Sequence, residues 1–181
     1  MRTLLFKAAL ALALTPLFLC TSAKAQPLGG CSNATLRGDY AFTIYGQVFI
    51  PNGPTFQREG VAMTHFDGRG TVTQVDLILA DPAAPPPSGV SPTDPETGFH
   101  TGEWGNYTVN KDCTGTFTID FHYMFDPVTK LPVTDQVIVA SFVIADVGRT
   151  IHTIVTSLTP AGKPGPVPVL IHSDGTKLEL L

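Results

Sequence analysis

Basic side chains are scarce in this chain. Lys and Arg number 11 among 181 residues, against 15 Asp and Glu. They are scattered, so no face of the molecule can neutralise a run of phosphates, and nucleic acid is excluded as an expected partner. Cysteine is rarer still, with three. Helical patterning is absent after the first 25 residues. The chain has no Gly-x-Ser-x-Gly turn to present a serine nucleophile and no His-x-x-x-His pair. Neither a cofactor nor a metal is expected from its motifs, and no motif identifies a reaction.

The one strongly helical stretch reads as a leader. Arg2 and Lys7 precede an apolar run from Leu4 to Leu19, and Ala23-Lys24-Ala25 supplies a small-x-small cleavage site before Gln26. The run is short and interrupted by Pro16, so it reads as an export signal rather than a membrane anchor. Leu19 before Cys20 is too large for a lipoprotein signal. The expected mature protein, residues 26–181, is one secreted or periplasmic domain with no transmembrane segment. Removing Arg2, Lys7 and Lys24 leaves 8 basic residues against 15 acids, a formal charge of −7. Low charge density with 43% apolar residues argues for a packed globule.

Eight short β-patterned segments fill the mature chain, at about residues 39–50, 60–66, 71–79, 102–109, 116–125, 136–145 and 150–158, with the last between 167 and 180. Regular spacing with Gly/Pro punctuation means an all-β sandwich or barrel. A simple meander favours an eight-stranded antiparallel up-and-down barrel, because closure removes exposed edges. The connections alternate in kind. Those after the first, third, fifth and seventh strands are long and carry proline; those after the second, fourth and sixth are tight. In a meander, odd and even connections lie at opposite ends, which gives a cup with a loop-rimmed mouth and a closed base. The longest connection, 81–97, is either a surface loop or a lid over the mouth.

This topology places Cys31, ahead of the first strand, and Cys113, in a tight turn, at the same closed end. A disulfide between them is expected, as an even cysteine count in an exported chain suggests. On the fifth strand, Phe117, Ile119, Phe121, Tyr123 and Phe125 alternate with Thr116, Thr118, Asp120, His122 and Met124, so the first set is expected inside and the second in water.

The segments Cys31-Ser32-Asn33-Ala34-Thr35-Leu36-Arg37-Gly38-Asp39-Tyr40-Ala41-Phe42, Phe66-Asp67-Gly68-Arg69-Gly70 and Gly105-Asn106-Tyr107-Thr108-Val109-Asn110-Lys111-Asp112-Cys113-Thr114-Gly115-Thr116 together resemble landmarks of a group of small exported bacterial proteins of uncharacterised function. The resemblance covers about the first two-thirds of the mature chain. It implies a calycin-like barrel similar to allene oxide cyclase and, more distantly, to the lipocalins. Where lipocalins carry Gly-x-Trp on the first strand, this chain has Tyr40. No catalytic residue carries over.

An eight-stranded barrel has an interior just wide enough to be filled or to hold one small ligand. The leading expectation is therefore binding of a small, largely apolar molecule at the mouth, with Phe99, His100, Tyr123 and Phe125 as candidate contacts. A second is a cofactor-independent isomerase or cyclase acting on a lipid-like substrate. A third is a filled structural or protein-interaction barrel. The sixth and seventh strands, apolar on both faces, suggest a homo-oligomer through that surface. His122 is expected as a solvated neighbour of Asp120. Asn33 and Asn106 lie in glycosylation sequons, expected to be inert in a bacterial protein.

Overall fold

The structure is a computed structural model and describes residues 30–80, 98–122, 124–125, 128–129, 132–134 and 136–179. The leader, the proline-rich 81–97 connection and Tyr123 lie outside the described residues. The strands are β1 (Arg37–Phe49), β2 (Thr55–Asp67), β3 (Thr71–Ala80), β4 (His100–Val109), β5 (Thr114–Phe121), β6 (Met124–Phe125), β7 (Pro132–Val133), β8 (Gln136–Ala145), β9 (Thr150–Pro160) and β10 (Val169–Lys177). Eight of them close in the order β1-β10-β9-β8-β5-β4-β3-β2, while β6 and β7 form a separate two-stranded ladder. The protein is an eight-stranded antiparallel up-and-down barrel. Closure is made by β10, which runs beside β1 from Tyr40 opposite Lys177 to Val48 opposite Val169.

One expectation fails on the fifth strand. The apolar alternation implies a strand continuous to Phe125, but β5 stops at Phe121. The backbone of Phe125 pairs instead with Pro132 in the small ladder, so alternation within the barrel does not extend to Phe125. Sequence periodicity alone does not show that break, because the apolar alternation runs straight through it.

Near the base the inward faces are apolar because each strand alternates. Tyr40, Phe42, Phe66, Val72, Tyr107, Ile119, Phe121, Phe142 and Ile151 form the main buried cluster. Its two tyrosines lie two residues after a glycine, in Gly38-Asp39-Tyr40 and Gly105-Asn106-Tyr107, and have a common use here. Both rings meet Phe66 edge-on, at centroid distances of 5.4 Å for Tyr40 and 5.0 Å for Tyr107. Both hydroxyls donate to carbonyls at the base: Tyr40 to Gly148, and Tyr107 to Asn33 and Leu36. A buried aromatic ring with a satisfied hydroxyl combines apolar burial with a directional tie.

The Tyr107 bonds fasten the segment before β1 across the base, and the Tyr40 bond ties β1 to the turn between β8 and β9. A single 3₁₀ turn, Asn33–Thr35, carries Asn33, whose side-chain carbonyl accepts from the Val109 N–H at 2.8 Å while its amide donates to the Arg69 carbonyl at 3.1 Å. The sequon asparagine is thus a structural bridge between two turns. Asp67 caps the β2–β3 turn by accepting from the N–H groups of Arg69, Gly70 and Thr71 at 2.7, 2.8 and 2.9 Å. These bonds hold its carboxyl down at about 2. The base is completed by the Cys31–Cys113 disulfide, as the connection pattern implied.

Two outcomes test this base. Closing a loop of 82 residues stabilises by about 4–5 kcal/mol in the chain-entropy account. A Cys31→Ser, Cys113→Ser variant should therefore show a large fall in denaturant midpoint, and an unchanged midpoint would show that the bond contributes nothing. Burial, then the neighbouring Tyr107, push the Tyr40 hydroxyl up to about 12 from its ordinary 10. A raised folded value favours the protonated form, so its contribution is fully present below pH 10 and is lost as pH climbs toward 12. Tyr40→Phe should cost about 1–3 kcal/mol at neutral pH through the lost hydrogen bond, and the difference from wild type should shrink across that alkaline window.

Candidate functional site

The mouth-ward half of the interior differs from the base. There Val48, Leu158 and Ile171 form a second, smaller buried cluster, and Ile44, Ile138, Val155 and Val169 pack against it as an apolar inner wall; these four and the inward Ile78 are only partly buried. Arg58 shares this inward face: it stands level with Gly46 of β1 and Ala80 of β3, about 13 Å mouth-ward of Ala62 at strand rise. It is half-buried, burial pulls its guanidinium down from its ordinary value, and it makes no ion pair among the described residues.

Below that apolar wall sits a polar cluster on β2, β3 and β4. Thr64 donates to Gln74 Oε1 at 2.8 Å, and the Gln74 amide donates to Glu103 Oε2 at 2.8 Å. One step nearer the mouth, His100 Nδ1 lies 3.1 Å from Asp76 Oδ1. Asp76 and Glu103 are each only 2% exposed, whereas the His100 side chain is 21% exposed. Donor atoms of Asp76, His100 and Glu103 all lie within 4.8 Å of one another. Buried carboxylates require partners, and this concentration is the principal polar feature of the described interior.

Sequence parity hides the cluster. His100 and Glu103 are three residues apart, so a regular strand would put them on opposite faces. The β3–β4 register shifts between Gln74, opposite Glu103, and Asp76, opposite His100. Two steps on β3 thus face three on β4, which is a β-bulge, and it turns both side chains inward. Gly102 supplies the required backbone, with φ at 83°, in the region that favours glycine.

The bulge is fastened from outside by His122. Its backbone N–H donates to the Gly102 carbonyl at 3.0 Å. Its Nδ1 lies 3.1 Å from both the Gly102 and Asp120 carbonyls; since carbonyls only accept, Nδ1 carries the proton. The ring stacks on Trp104 at 3.7 Å and 5°. His122 is therefore buried, not a solvated neighbour of the Asp120 carboxylate as the alternation implied. It does lie on the outer face, but Trp104 covers it there.

Of the residues proposed from sequence, His100 is in the cluster and half-buried Phe99 directly precedes it at the start of β4. Tyr123 is outside the described residues, and nothing is described of the Phe125 side chain. Thr64, Gln74, Asp76, Glu103 and Arg58 were missed. An inward Gln74-x-Asp76 on a strand was the available signal. Other titratable clusters face solvent. His65 pairs with Asp39 at 2.7 Å and His152 with Asp174 at 2.6 Å, while Tyr45 donates to Asp174 at 2.6 Å. The bond from Tyr45, and then that with His152, lower the Asp174 carboxyl.

Comparison of the chain with protein-family models, curated proteins and solved structures finds no match.

Gly102→Ala tests the bulge. A side chain at this φ costs about 1–3 kcal/mol, and relief of that strain would return β4 to regular alternation. The expected result is a folded, less stable protein whose His100 has moved toward solvent, detectable by faster modification with diethyl pyrocarbonate. An unchanged modification rate and stability would show that the bulge does not depend on glycine.

Proposed function

We propose that the barrel binds one small, largely apolar, anionic molecule through its mouth, with the Asp76–His100–Glu103 cluster at the floor of the site. The observation that carries this reading is the cluster itself: buried acids and a histidine on the inner wall, beneath aliphatic side chains that are not fully covered. A filled structural barrel gains nothing from buried carboxylates, which are costly to desolvate. Arg58, inward and half-buried near the rim, supports an anionic group at the mouth end of the ligand. Export to the periplasm or beyond fits the disulfide.

A second reading, a proton-transferring isomerase or cyclase on a lipid-like substrate, is favoured by the 3.1 Å His100–Asp76 pair. An imidazole fixed by a carboxylate can accept a proton at one position while Glu103 serves at another. In deuterated water this reading predicts deuterium incorporation into a turned-over substrate, lost in Glu103→Gln.

Titration of the folded protein with an anionic naphthalenesulfonate dye and with a neutral dye tests the binding reading. The anionic dye should bind saturably, and Arg58→Gln should weaken it by about tenfold, the scale of one partly solvated charge-assisted contact. The neutral dye should respond far less. Failure of the folded protein to take up either dye, or equal anionic affinity in Arg58→Gln, would overturn it.

A further inference from the structure

We infer that Asp76, His100 and Glu103 form a binding site for a single divalent first-row transition-metal ion. The inference uses the same cluster as the ligand-binding reading but requires no organic ligand. The three donors come from adjacent strands and converge on one point inside the barrel. Their ligand atoms lie within 4.8 Å of one another. Donors that share a Zn²⁺ ion at about 2.0–2.2 Å sit roughly 3–3.5 Å apart, so the group closes on an ion with about an ångström of side-chain adjustment. The His100–Asp76 separation of 3.1 Å is already within that range.

Two further observations point to a ligand. The Asp76 side chain is 2% exposed, and among the described residues its Oδ2 receives no hydrogen bond, although the carboxylate faces the other two donors. Leaving a carboxylate oxygen so buried without a partner is costly, and a cation supplies one. Glu103 is also held as metal ligands commonly are, by an outer chain of hydrogen bonds: the Gln74 amide donates to Glu103 Oε2, and Thr64 donates to Gln74. That chain orients the carboxylate without adding charge.

Mixed imidazole and carboxylate donors favour Zn²⁺, Mn²⁺ or Fe²⁺ over Mg²⁺ and Ca²⁺, which prefer all-oxygen sites. Three protein donors leave coordination positions for water or for a ligand entering from the mouth, the arrangement of an open rather than a closed metal site. A metal there would engage an imidazole nitrogen of His100. The inference therefore deepens the binding reading and competes with the proton-transfer one.

The test uses the purified oxidised protein, stripped with a chelator and titrated with ZnCl₂ and MnCl₂ by calorimetry and thermal unfolding. One equivalent should bind and raise Tm. Glu103→Gln and Asp76→Asn should each weaken binding at least about tenfold. A His152→Gln, His172→Gln variant, which alters the outer cluster where the His172 ring lies 3.8 Å from that of Tyr45, should bind as wild type. The absence of binding up to millimolar metal would overturn the inference. So would one-equivalent binding that survives Glu103→Gln but is lost in the outer-cluster variant. Should the interior variants fail to fold, X-ray absorption of the Zn²⁺-loaded wild type decides the matter. One imidazole with oxygen donors supports the site, and several imidazoles or water alone refute it. Because no organic ligand is present, a negative result leaves the dye-binding test standing on its own.

Discussion

Closure of the sheet is the constraint on which everything else depends. Once β10 pairs with β1, every barrel strand has two neighbours and the sheet has no edge. The inner face then has only two fates: it is filled, or it encloses something. Near the base it is filled, by aromatic rings among which Tyr107 also binds the backbone of the segment before β1 and Tyr40 that of the β8–β9 turn. Toward the mouth a second, smaller cluster of Val48, Leu158 and Ile171 is buried, and the aliphatic side chains packed against it are only partly covered. The base end is tied shut by Tyr40, Tyr107, Asn33 and the Cys31–Cys113 bond.

The polar cluster depends on a departure from that regularity. A strand of strict period two can deliver residues 101 and 103, or 100 and 102, to the interior. It cannot deliver His100 and Glu103 together. One extra residue at Gly102 changes this, and it does so where the neighbouring strand brings Gln74 and Asp76 inward. The bulge would leave the Gly102 carbonyl poorly used, but His122 donates to it twice, from its backbone and from its ring. Trp104 then shields that ring from water. The outer surface of β4 and β5 therefore helps to set the geometry of the inner one.

Much of the fold was legible because it rests on alternation and punctuation. The eight strands, their meander, the closed end and the disulfide all follow from where glycine, proline and cysteine fall. Failures occurred where alternation breaks. Phe125 continues an apolar pattern into a chain segment that has already left the barrel. His122 keeps the outer parity but gains a cover from Trp104, whose position follows from cross-strand register rather than local sequence. Asp76 and Glu103 were passed over because a single acid on a strand reads as solvated until its face is known. His100 drew notice only for its place near the mouth, and its partners depend on a register shift that no local pattern encodes.

The central claim is that His100 points into the barrel beside Asp76, although strict alternation from inward Glu103 would turn it out. The most direct measurement is solvent paramagnetic relaxation of the histidine ring protons, using a bulky gadolinium chelate. The His100 side chain is 21% exposed, against 53% for both His65 and His152. The account predicts weak relaxation of the His100 ring and strong relaxation of the other two. His100 relaxing as fast as His65 and His152 would place it on the outer surface and contradict the bulge, the cluster and the function drawn from them.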